Sequence, residues 1–189
     1  MTARLFVVRH GETEWSLSGQ HTGRTDVPLT DAGRERAKQV GAFLAGRSFS
    51  LVLTSPLSRA RDTAALAGFS DARVDDDLRE WDYGDYEGLK TLDIRKERPG
   101  WFLWDDGVPN GETIDEVAAR ADRVIERVRD VDGDVVAFAH GHILRVLASR
   151  WIDQPPAFGR HLILSPATLS ILGYEREAPA LEAWNAPVT

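Results

Sequence analysis

Leu5-Phe6-Val7-Val8-Arg9-His10-Gly11-Glu12-Thr13 is the stretch that decides the fold. An apolar run rich in β-formers stops abruptly at an Arg-His-Gly step, as a buried strand does when it delivers side chains to a sheet edge. In open α/β folds that edge is where ligands bind. A second run, Asp134-Val135-Val136-Ala137-Phe138-Ala139, stops the same way at His140-Gly141-His142. Two imidazoles at the ends of two buried strands are the first candidates for chemistry.

Outward from these runs the chain alternates strand and helix. A polar Gly-rich loop runs from Glu14 to Leu29, and Thr30-Asp31 then reads as a helix start ahead of Ala37, Val40, Gly41 and Leu44. Leu51-Val52-Leu53 reads as a buried strand, and Ser55-Pro56 as the opening of a helix with Ala60, Ala64 and Ala67 on one side. Thr113 and Glu116 form a capping box ahead of Val117, Ala121, Val124 and Val128. A helix over 143–151 and a strand over Leu169–Tyr174 complete a pattern that predicts one α/β sandwich over residues 1–189, built on a largely parallel sheet. Residues 79–112, rich in Trp, Asp, Gly and charge, carry no long period and read as a cap or substrate-loop insertion over the sheet edge.

The chain has 189 residues, 42% of them hydrophobic, enough for a sizeable single core. Its net charge of −7 argues against a nucleic-acid partner or an anionic membrane surface. No leader pattern and no membrane-length apolar run is visible, so a soluble cytoplasmic protein is the expectation, with homo-oligomerisation left open. The absence of cysteine removes disulfides, thiolate catalysis and Cys-based zinc sites from consideration.

Arg59, in Ser55-Pro56-Leu57-Ser58-Arg59-Ala60-Arg61-Asp62-Thr63, falls in the first turns of the helix after the second strand. That puts it at the same edge as Arg9, His10 and His140. Phosphate is the natural ligand for such a set, because guanidinium forks match its oxygens and a helix N-terminus adds backbone donors. One histidine then attacks phosphorus while the other donates to the developing equatorial charge. An attacking imidazole must present a neutral nitrogen, its other nitrogen held by a hydrogen bond, often to a backbone carbonyl. Gly11, directly after His10, leaves room for such an approach. The leaving oxygen needs a proton, and Glu80, in Leu78-Arg79-Glu80-Trp81-Asp82-Tyr83-Gly84, is the best donor, since aromatic neighbours favour a protonated carboxyl. Arginines that neutralise charge leave no need for a metal or other cofactor.

Arg9-His10-Gly11-Glu12-Thr13 together with Arg59, Glu80 and His140-Gly141 resembles the histidine phosphatase superfamily, in its phosphoglycerate-mutase-like branch. The resemblance runs from Arg4 to about Tyr174 with the motifs in the family's order. It implies a three-layer α/β/α fold in which His10 becomes phosphohistidine, Arg9, Arg59 and His140 bind the transferring phosphoryl group, and Glu80 shuttles the proton. The family's true mutases are longer and usually place Asn where this chain has Ser16. Thr13-Glu14-Trp15-Ser16-Leu17-Ser18-Gly19-Gln20-His21-Thr22-Gly23, Arg79 to Gly88 and Asp106 to Thr113 look instead like the sugar-bisphosphatase (sedoheptulose-1,7-bisphosphatase-like) branch and like short acid phosphatases. The resemblance therefore implies a metal-independent phosphatase acting on a small phosphorylated metabolite, with a phosphoglycerate mutase as the alternative and a catalytically silent phosphate-binding protein behind it.

Ser16, Gln20, His21, Thr22, Gly23, Gly141 and His142 are the expected substrate contacts, His142 more as a donor to substrate than as a loop tie. Glu12 and Glu14 are expected to orient basic neighbours, and His161 to be structural. Arg145, one helical turn from the edge, competes with a bland role as a buried ion pair. Trp101 and Trp104 are expected in the core, and Lys90, Arg95, Lys96 and Arg98 on a solvated helix face ended by Pro99.

Overall fold

The computed structural model describes residues 3–188. In chain order the elements are β1 (Leu5–Arg9), α1 (Glu14–Ser18), α2 (Asp31–Leu44), β2 (Leu51–Thr54), α3 (Ser58–Leu66), β3 (Arg73–Val74), α4 (Thr91–Glu97), α5 (Leu103–Asp106), α6 (Ile114–Arg129), β4 (Val135–Ala139), α7 (Gly141–Trp151), β5 (Thr168–Glu175) and β6 (Ala178–Pro187). The sheet order is β3-β2-β4-β1-β5-β6. β3, β2, β4 and β1 run parallel, and the β5–β6 hairpin adds an antiparallel edge beside β1.

β1 shows why the chain folds in three layers. Successive side chains of a strand point to opposite faces, and all of Leu5 to Val8 are buried. Leu5 and Val7 join the core under α6 and α7, with Val117, Val124, Ile143 and Leu147. Phe6 and Val8 join the other core, with Val40 and Leu44 of α2 and Ala64 of α3. The sheet is thus covered on both sides, the α/β/α sandwich expected.

Several elements differ from the sequence expectation. The loop from Glu14 to Leu29 contains the one-turn helix α1, closed by a capping box between Thr13 and Ser16. The helix after β2 begins at Ser58, and its N-cap Leu57 offers no side-chain cap. Asp26, distant in sequence, caps it instead, accepting from Ser58 N–H at 2.9 Å and from its hydroxyl at 2.8 Å. β3 and β6 were not legible: β3 is two exposed residues, and β6 owes its state to hydrogen bonds with β5 across a Pro- and Ala-rich sequence. Thr113 and Glu116 close the expected capping box on α6. In the insertion over 79–112, Trp101 and Trp104 are buried as expected.

Candidate active site

Arg9 pairs with Ala139 in the β1–β4 register, so the next residues emerge side by side, with the His10 and His140 ring centroids 5.1 Å apart. His10 is buried, and its Nδ1 lies 2.7 Å from the Gly11 carbonyl oxygen. A carbonyl only accepts, so Nδ1 carries the proton and Nε2 keeps its lone pair. Burial, then the Arg9 and Arg59 charges, hold this imidazole well below the ordinary histidine range, against the pull of the Gly11 carbonyl. The result is a neutral ring with one bare nitrogen. Gly11 is needed for packing too: a Cβ there would meet the Gly33 carbonyl oxygen at 2.6 Å.

Arg9 and His10 line a cleft of about 190 Å³, walled by His21, Tyr83, His142 and Arg145. Arg9 Nη1 donates to the Leu164 carbonyl at 2.5 Å, while its Nε is buried with no partner among the described residues. A buried guanidinium N–H left unpaired is a donor that a ligand oxygen completes.

Arg59 and His140 are the residues expected, with Arg9, to bind the transferring phosphoryl group. Both are fully buried, outside the lining of the cleft. Arg59 Nε donates to His140 Nδ1 at 3.1 Å, Nη1 to the Thr25 carbonyl, and Nη2 to the Thr22 and Gly23 carbonyls. Only one N–H, on Nη1, is uncommitted. Because His140 Nδ1 accepts, the neutral ring carries its proton on Nε2 and donates to Ser55 Oγ at 2.7 Å. Burial, followed by Arg59, keeps His140 well below the ordinary range. The physical reason is local: residues 22–25 form a strap with no regular structure, whose carbonyls must find donors, and Arg59 supplies them.

Glu80 reaches the cleft from the irregular segment before Tyr83. Its Oε1 accepts from the N–H groups of Trp81, His142 and Ile143 at 3.0, 3.1 and 2.9 Å, and Oε2 lies 2.9 Å from His142 N. The first turn of α7 has unspent N–H groups, and a carboxylate is their natural partner. The expected aromatic neighbours, Trp81 and Tyr83, are there, but the oxygens turn to peptide donors.

The expected substrate contacts divide. Ser16, Gln20, His21, Thr22, Gly141 and His142 line the cleft. Ser16 nevertheless spends its hydroxyl on Thr13, and Gln20 donates to the Gly88 carbonyl. Gly23 lies instead in the wall of a neighbouring cavity of about 540 Å³, its N–H on the Glu87 carboxylate and its carbonyl on Arg59. It therefore shapes the strap. His142 is held by Tyr83, whose oxygen is 2.7 Å from Nδ1. Burial, then Glu80, keeps Tyr83 a neutral phenol, able either to give its proton to Nδ1 or to accept one from it. Burial and then Arg145 hold His142 well below the ordinary range.

Other expectations resolve plainly. Glu12 accepts from Thr30 Oγ1 at 2.8 Å rather than orienting a basic group. Arg145 makes no ion pair among the described residues: it donates to the Gly159 and Arg160 carbonyls and stacks 4.7 Å from the Trp104 ring centroid. Arg95, Lys96 and Arg98 are engaged locally, with the Trp101 carbonyl, Asp93 and the Tyr86 hydroxyl. His161 is exposed beside Phe158. Tyr83, Ser55 and Glu87 were missed as site residues. Ser55 had a usable signal, its place just after β2 at the edge shared with His10. Glu87 had none, since its partners are main-chain N–H groups of Gly23 and Thr25.

An imidazole pair on neighbouring parallel strands, two arginines and a facing carboxylate are the features of a histidine phosphatase, and the chain belongs to the histidine phosphatase superfamily (branch 1), which it matches over residues 5–187. It is 42% identical over 176 residues to an acid phosphatase of Mycobacterium tuberculosis, covering 91% of this chain and 87% of the relative. It is 41% identical over 185 residues to a sedoheptulose 1,7-bisphosphatase of Saccharomyces cerevisiae, covering 80% of this chain and 68% of the relative. A solved structure of an open-reading-frame product of Mycobacterium tuberculosis superimposes with a TM-score of 0.92 at 38% identity, over 100% of both chains. The class so defined is a phosphomonoester hydrolase.

Proposed function

We propose that this enzyme hydrolyses a small phosphorylated metabolite, a sugar phosphate or bisphosphate, through a phosphohistidine on His10 and without a metal. The observation that carries the proposal is the His10 ring, neutral, with Nδ1 tied to the Gly11 carbonyl, in one cleft with Arg9, whose Nε–H is unpaired among the described residues.

Nε2 attacks phosphorus and the ester P–O bond breaks. The electron pair leaves with the ester oxygen, which takes a proton from Glu80. The Glu80 carboxylate then accepts a proton from water as that water attacks the phosphohistidine, and inorganic phosphate departs from a neutral His10. Arg9 carries most of the equatorial charge. His140 Nε2–H and the last N–H of Arg59 are the next donors, the first given up by Ser55. Beyond the phosphoryl site, Arg145 and His142 line the cleft. Such side chains suit a hydroxyl-rich or second anionic group, and the bisphosphatase named among the relatives supports that choice.

Brief exposure to phosphate-labelled substrate leaves acid-labile, base-stable label on the wild-type protein and none on His10→Ala. Undiminished label on that variant overturns the assignment. Turnover persists in excess chelator, and an activity lost to chelation and restored by added metal overturns the metal-independent chemistry.

A further inference from the structure

Glu80 has no secondary structure of its own, and its backbone must be held from outside. Residues 79–83 lie between two short 3-10 turns, Asp76–Leu78 and Gly84–Tyr86. The carbonyls of such a segment need donors, and here one side chain supplies three of them. Arg120, on α6, donates Nη1 to the carbonyls of Asp77 and Arg79 at 2.8 and 2.9 Å, and Nη2 to that of Glu80 at 3.5 Å. Its remaining N–H groups form a two-pronged pair with Glu112, Nε to Oε1 and Nη2 to Oε2, both at 2.8 Å. All of its donors are thereby spent, so it has none left for a ligand.

Glu112 grips the same segment from the other side. Its Oε2 accepts from Asp82 N–H at 3.0 Å, its carbonyl accepts from Trp81 Nε1 at 2.8 Å, and its N–H donates to the Asp82 carbonyl at 3.0 Å. The Arg120 and Glu112 side chains are only 13% and 23% exposed, so solvent screens their pair weakly. The Glu80 backbone is thus fixed from α6 while its carboxylate is fixed by the first turn of α7, two helices packed on each other in one core.

We propose that Arg120 and Glu112 are positioning residues for the proton-transfer group: together they set where the Glu80 carboxyl stands relative to the leaving oxygen, without touching substrate. This rests on Glu80 acting as proton donor in the proposed function. A positioned acid displaced by about 1 Å loses on the order of a hundredfold in rate. The loss falls only on substrates that need the proton.

Four variants test this, with two substrates: an alkyl phosphate, whose alkoxide must be protonated, and 4-nitrophenyl phosphate, whose phenolate departs unaided. Arg120→Lys keeps a cation but cannot form the fork. It lowers kcat/KM for the alkyl phosphate by about tenfold or more, with the pre-steady-state burst on the nitrophenyl ester within about threefold of wild type. Glu112→Gln gives the same pattern more weakly, and serves if Arg120→Lys folds poorly by thermal melting. In a Glu80→Gln background, Arg120→Lys costs nothing more on the alkyl substrate, because the group it positions is already disabled. Equal losses on both substrates, or additive losses in the double variant, overturn the positioning role. If Glu80→Gln itself shows no difference between the two leaving groups, the fault lies with the proton-donor assignment instead.

Discussion

At the scale of single residues, function depends on which proton sits where. The Gly11 carbonyl decides the His10 tautomer, and Arg59 decides that of His140. Because burial and the neighbouring arginines hold His10 well below the ordinary range, the proposed nucleophile stays neutral in mildly acidic solution, and the acid limb of phosphoenzyme formation lies below the ordinary histidine value of 6.5. Glu80→Gln keeps the shape and the peptide contacts but has no proton to exchange. Alkyl phosphates become very poor substrates for it, by about a hundredfold or more, while an aryl phosphate still forms phosphohistidine, which accumulates because water lacks its base. Rapid-quench measurement of bound label checks this; equal slowing without accumulation points to another acid.

At the scale of elements, the loop bearing His10 is pressed against the first turn of α2. Thr30 caps that helix and its N–H reaches the Glu12 carbonyl at 2.9 Å, while a Cβ on Gly33 would overlap that same carbonyl. Two effects compete in Gly33→Ala. Helix propensity favours alanine by about 1 kcal/mol, whereas overpacking against immobile backbone costs about 1–3 kcal/mol. The clash wins: the variant melts lower and forms phosphoenzyme more slowly. A higher melting temperature with normal burst kinetics would show that the loop yields. The strap of residues 22–25 is gripped from opposite sides by Arg59 and Glu87, its carbonyls on one and N–H groups on the other. The Arg24–Asp82 pair adds little to this hold, since the Arg24 side chain is 80% exposed.

For the molecule as a whole, the buried imidazoles link stability to pH. His10, His140 and His142 all sit well below 6.5, chiefly through burial. Below that value the unfolded chain takes up protons that the folded protein refuses, so their contribution is complete above about pH 6.5 and is lost as the pH falls. Each imidazole costs about 1 kcal/mol per pH unit in that window. Urea unfolding at pH 7.5 and 5.5 therefore gives a markedly lower stability at the acid value, and His142→Asn flattens the slope. An unchanged stability would mean that the rings accept protons in place.

The sequence by itself determined the alternation of strands and helices, the sheet edge, and the residues gathered there, because buried strands and amphipathic helices write their periods and caps locally: Leu5–Val8, Thr30, and Thr113 with Glu116 are all legible in a short window. It also carried His10 and its Gly11 partner, adjacent in the chain. What only the tertiary structure decided is who bonds to whom across distance. Arg59 turns to the strap and to His140, Asp26 caps α3, β6 becomes a strand on β5, and Arg120 reaches from α6 to the carbonyls beside Glu80. The physical reason is that most of these partners are main-chain groups, those of the strap, of the first turn of α3, of β5 and of the segment beside Glu80. Every residue offers the same N–H and C=O, so no side-chain pattern marks which will be left unpaired until the fold has brought a donor or acceptor against them.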